Sequence, residues 1–165
     1  MKFLKIFSLL LALGIGAAKA QFVKAEVQVS GLTCSMCSKA TEKALRTLEF
    51  IGDIKPDLNR NVFVITFKSN TPVSLDQISK KVQNAGFSVN NLKATFNFAS
   101  TKLNSNTFSY SGDTYLVVAG ADKAPSGPTT VTVVDKGFAP PSVYKKYAGI
   151  NPADAKTGRV YRVII

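Results

Sequence analysis

Residues 27–48 read VQVSGLTCSMCSKATEKALRTL, and the change of period inside this stretch decides the fold. Up to Ser30 the chain alternates. Val23, Ala25, Val27 and Val29 are apolar, and Lys24, Glu26, Gln28 and Ser30 are polar. Period two predicts a strand with one buried face. Gly31 breaks the pattern. Cys37, Thr41, Ala44, Leu45 and Leu48 then fall at helical spacing, with Lys39, Glu42, Lys43 and Arg46 on the other side. Cys34 and Cys37 sit on the junction of strand and helix. At such a turn two sulfurs can converge on one point, and the open N–H groups of a helix start favour thiolate over thiol.

Working outward, a short strand is expected between Phe50 and Asp57, although Gly52 and Pro56 interrupt it. Leu58 to Asn61 reads as a turn. Phe63, Ile65 and Phe67 alternate with Val62, Val64 and Thr66 as a further strand. Ser74 and Gln77 form a capping-box pattern, followed by Leu75, Ile78, Val82 and Ala85 at helical spacing. Gly86 suits the end of that helix, and Phe87 and Val89 begin a last strand. The order β-α-β-β-α-β is the ferredoxin-like arrangement, an α+β fold with two helices on one face of four strands.

From about Ala94 the character changes. Alternating or apolar stretches at Thr95–Phe98, Thr107–Tyr110, Tyr115–Val118, Thr129–Val134 and Val160–Ile165 are separated by turn signals such as Ser111-Gly112-Asp113 and Pro125-Ser126-Gly127-Pro128. They predict a small all-β unit, sandwich- or barrel-like, over 95–165, with a short helix near 142–148. Phe96, Phe98, Phe108, Tyr110 and Tyr115 read as its core.

The N-terminus carries Lys2 and Lys5, an apolar run over Ile6–Gly14, and Ala18-Lys19-Ala20. Together these read as a secretory signal peptide over 1–20, whose removal leaves no transmembrane anchor. The chain is then exported, to the periplasm if the source is a diderm bacterium. Without the three lysines of the signal, 18 basic and 10 acidic side chains remain, a net +8 spread evenly along the chain. With no basic stripe in an exported chain, no nucleic-acid partner is expected. Histidine is absent. That removes imidazole general acid–base chemistry and the common histidine-bearing zinc sites, and no catalytic motif points to an enzyme. Cys34, Met36 and Cys37, within four consecutive positions, are the soft donors that remain once Met1 leaves with the signal. Cu(I) suits two sulfur ligands. A thiol–disulfide redox role, or a resting disulfide, would use the same pair.

The loop Gly31-Leu32-Thr33-Cys34-Ser35-Met36-Cys37 resembles the Gly-Met-x-Cys-x-x-Cys loop of the heavy-metal-associated domain family, found in copper chaperones, ATPase modules and periplasmic mercury-binding proteins. Glu42-Lys43-Ala44-Leu45 and Ala85-Gly86-Phe87 extend the resemblance, which covers residues 22–95. It implies Cys34 and Cys37 as ligands of Cu(I), or of Hg(II) or another soft ion, for scavenging or for transfer to a metal-transporting or metal-accepting protein. Leu32 stands where the family's packing methionine is usual. Thr33 is similar to the copper and mercury versions, and Phe87 occupies the place of an aromatic packed near the loop. The resemblance implies that these three support the site without ligating.

Overall fold

A computed structural model describes residues 21–120, 124–152 and 158–165; the export signal expected at 1–20 lies outside them. Among the described residues the elements are β1 (Gln21–Ser30), α1 (Ser35–Arg46), β2 (Ile51–Asp57), β3 (Val62–Phe67), α2 (Leu75–Asn84), β4 (Ser88–Asn97), β5 (Thr107–Tyr110), β6 (Asp113–Ala119), β7 (Pro128–Val133), α3 (Pro141–Tyr147) and β8 (Val160–Ile164). None of the helices is long and apolar enough to cross a membrane.

The first six elements form the expected ferredoxin-like unit, with strands ordered β2-β3-β1-β4 and all neighbours antiparallel. The period-two residues of β1 explain why. Ala25, Val27 and Val29 are buried, together with Ile65 of β3 and Leu92 and Ala94 of β4; a register shift between Phe22 and Lys24 breaks the alternation below them, so Phe22 is buried where Val23 was expected and Val23 is half-buried. Both helices cover that face, through Thr41 and Leu45 of α1 and through Leu75, Ile78 and Val82 of α2. Arg46 fastens α1 to β2, donating from Nη2 to the Ile54 carbonyl at 2.8 Å. Ser74 caps α2, its Oγ accepting from the Gln77 N–H at 3.4 Å.

The C-terminal part differs from the expected separate all-β unit. Its strands continue the same sheet, in the order β2-β3-β1-β4-β7-β8-β6-β5, and α3 lies among them in the chain. The alternation at Thr95–Phe98 belongs to β4, which runs through residue 94, where a boundary was expected. On its far edge β4 pairs with β7, from Leu92↔Val133 to Asn97↔Pro128. The physical reason is plain. An antiparallel strand has a second row of N–H and C=O groups, and β7 satisfies them instead of leaving a bare edge.

The two halves share one core. Phe96 lies 5.0 Å from the Phe22 ring, 4.8 Å from Phe98 and 4.7 Å from Phe108. Tyr115 stacks between Phe108 and Tyr161 at 4.9 and 4.8 Å. Each such pair contributes about 0.5–1.5 kcal/mol beyond its area burial. Helix α2 bridges both halves: Ser79 Oγ donates to the Gly137 carbonyl at 2.7 Å, and Asp76 pairs with Arg159 at 3.0 Å. Beyond β7, the largely buried pair Asp135–Arg162 closes at 2.9 Å. Arg162 also donates to the Ile150 carbonyl and to Asn151, both at 2.7 Å, which ties the segment after α3 to β8.

A shared core sets two expectations. Phe96→Ala should cost about 3–5 kcal/mol in chemical denaturation. The unfolding of the whole chain should be one transition, with fluorescence and circular dichroism coincident; two separated transitions would show that the halves unfold independently. Burial also pushes the Tyr115 and Tyr161 phenols far up from their ordinary value. The unfolded chain loses these protons near pH ~10 while the folded chain keeps them, so this stability is complete below that pH and is lost as pH rises above it. Denaturation midpoints measured from neutral to alkaline pH should fall beyond pH ~10, and less steeply in Tyr115→Phe.

Candidate metal centre

Ser30 ends β1, and the next residue takes φ +91°, a backbone that glycine adopts without strain. Gly31 thereby turns the chain off the sheet and up to α1. The turn also lies against Phe87. A Cβ at this position would sit 3.4 Å from Cδ1 of Phe87. Phe87 follows Gly86, whose φ of +89° ends α2 just before β4. The two glycine turns thus come together at one end of the sheet.

Leu32 points inward, only 8% exposed, and belongs to the main core. Thr33 is exposed. Phe87 is half-buried and packed against the same core.

Cys34 is the N-cap of α1. Its extended backbone and its Sγ, which accepts from the Cys37 N–H at 3.2 Å, start the helix, and its carbonyl accepts from the Ser38 N–H at 3.2 Å. A sulfur here does what an oxygen does in a usual cap. Cys34 is exposed; Cys37, one turn on, is half-buried against the core. Their Cα atoms are 5.3 Å apart and their sulfurs are joined as a disulfide. The structure therefore brings the two expected sulfurs together. Among the described residues no group of three or more His, Cys, Asp or Glu converges. A metal at this place would meet a two-sulfur pair, without harder side chains to complete a zinc-type shell.

Sequence reasoning missed two neighbours. The β2–β3 turn reaches the same end of the sheet, because the Val29 N–H donates to the Asn61 carbonyl at 2.9 Å, and this turn exposes Leu58. From the C-terminal half, Gly137, Pro140 and Pro141 line a groove with Ser30, Gln83 and Ser88. The register of β7 on β4 and the Ser79–Gly137 hydrogen bond place them there. No local signal in either segment carries it.

The family profile of the heavy-metal-associated domain matches residues 26–88. The copper chaperone CopZ of Staphylococcus haemolyticus is 29% identical over 63 residues, which make up 38% of this chain and 91% of that protein. A solved yeast copper transporter domain, in apo and Cu(I)-loaded states, is 25% identical over 41% of this chain and 90% of its own, with a TM-score of 0.37. Oxidized MerP from Ralstonia metallidurans is 27% identical over 43% and 97%, with a TM-score of 0.36.

Exposure orders the two thiols. After reduction, Cys34 should alkylate with iodoacetamide before Cys37, as read by peptide mass mapping at short times; equal rates would contradict the half-burial of Cys37. Gly31→Ala should destabilise the chain by about 1–3 kcal/mol through its forced positive φ, measured by denaturant titration.

Proposed function

Residues 26–88 are a heavy-metal-associated domain, and from that premise we propose that this chain captures a soft metal ion through Cys34 and Cys37, Cu(I) first and Hg(II) as the alternative cargo. The observation that carries the reading is the convergence of two sulfurs at an exposed helix start, with no harder donors gathered around them. Two thiolates match the preference of Cu(I) for few, soft ligands. The same poverty of ligands makes release easy. An incoming thiolate adds to the ion before one of the first pair leaves, so metal passes between proteins without ever being free.

The oxidised pair must first be opened. Two electrons and two protons from a dithiol reductant convert the disulfide into two thiols, and binding of the ion then releases those protons. Because the C-terminal strands attach along β4 and α2, on the side away from β2 and α1, the Cys34 side of the loop stays open. A metal-accepting or metal-transporting protein would approach there, meeting Met36 and Leu58, which are 72% and 55% exposed. The role is that of a carrier or scavenger in an exported compartment, without catalysis.

The test is an anaerobic Cu(I) titration of the reduced protein against a colorimetric chelator. One tightly held ion per chain is expected, lost in Cys34→Ser/Cys37→Ser. Equal binding by the double variant would end this reading. The disulfide favours a second reading, thiol–disulfide exchange, to be judged by the reduction potential of the pair and its turnover of a model disulfide if no metal binds.

A further inference from the structure

We propose that Met36 is a third ligand, its thioether closing onto a Cu(I) ion held by Cys34 and Cys37; the proposal rests on the metal-capture reading above. Met36 is 72% exposed, the most exposed large apolar side chain among the described residues. Packing does not account for it. The apolar anchor of the loop is Leu32, which is buried in the core. Yet Met36 stands between the two cysteines in the first turn of α1, next to Cys37 in the chain. In an exposed first turn a polar residue would be cheaper to hydrate.

Coordination chemistry supplies the reason. Cys34 and Cys37 share one turn, with Cα atoms 5.3 Å apart. An ion bridging sulfurs held on the same side of so short a span is bent away from linear, and the bend opens a third position toward solvent. A methionine side chain has three rotatable bonds and a polarizable sulfur, so it can swing from solvent into that position. A thioether is a soft ligand that suits Cu(I). Being neutral, the thioether adds no charge to the site. Being a weaker donor than thiolate, it is the first to leave when a partner's thiolate arrives. Met36 would thus tighten storage of Cu(I) without blocking its transfer. Hg(II) binds thiolate far more strongly than it binds a neutral thioether, so it gains little from it. The residue sets metal preference.

The sequence makes the test direct, since its methionines are Met1 and Met36. Selenomethionine-labelled chain, reduced and loaded with one Cu(I), is examined by selenium-edge X-ray absorption. A selenium–copper path at bonding distance is expected, absent from labelled Met36→Leu, whose remaining selenium can lie only at Met1. Chelator competition should show Cu(I) held about tenfold more weakly by Met36→Leu, with Hg(II) affinity unchanged. Stoichiometric Cu(I) on the cysteine pair with no selenium–copper path, or with unchanged affinity in Met36→Leu, overturns the proposal and leaves the capture reading intact. Failure of the reduced chain to bind Cu(I) better than Cys34→Ser/Cys37→Ser overturns both.

Discussion

Strand β4 is hydrogen-bonded along both edges, to β1 from Gln21↔Asn97 to Ser30↔Ser88 and to β7 from Leu92↔Val133 to Asn97↔Pro128. Its inward residues Val89, Leu92, Ala94 and Phe96 are all buried. A strand so placed is both the wall of the first four-stranded unit and the foundation of the next four. Its start, at Ser88, also fixes where Phe87 stands, and through Phe87 where the Gly31 turn can lie. Loop geometry at the cysteine pair is therefore inherited from a ladder whose far end reaches Asn97.

The site is built with two different materials. Below it is rigid packing: Leu32, Phe87 and the inner side of Cys37 lean on a core in which Val27, Leu45 and Leu92 are fully enclosed. Above it is water, with Thr33, Cys34, Ser35 and Met36 exposed. Preorganisation comes from the first and access from the second. A fully enclosed pair would bind and not let go; a pair on a loose loop would lose conformational entropy with every ion it ordered.

Much of the first unit was legible because its signals are local. The alternation Ala25 to Val29, the Gly31 break, the Ser74 cap and Gly86 each act within a few residues, and the elements follow them closely; before Ala25 a register shift turns Phe22 inward instead of Val23. The strand at Thr107–Tyr110 and the helix near Pro141 were legible for the same reason. Sheet continuity was not. The pairing Leu92↔Val133 joins segments some forty positions apart, and nothing near Leu92 records it. Read locally, Thr95–Phe98 looks like a fresh strand after a boundary, when it is the remainder of β4. The nearness of Gly137 and Pro141 to Ser30 follows from the same long-range register.

β8 comes after every other strand in chain order, yet in space it lies inside the sheet, between β7 and β6. Its pairing with β6 is parallel and with β7 antiparallel. Until residues 160–164 have emerged and inserted, the β5–β6 hairpin has no ladder to join, while β1 to β4 already possess all their partners. A chain emerging from the amino end can therefore complete its cysteine-bearing unit early and must hold the second half open, with Tyr115 and Phe108 uncovered, until the closing strand arrives. Assembly is ordered by topology: the cysteine loop takes shape first, and the sheet is sealed from the inside last.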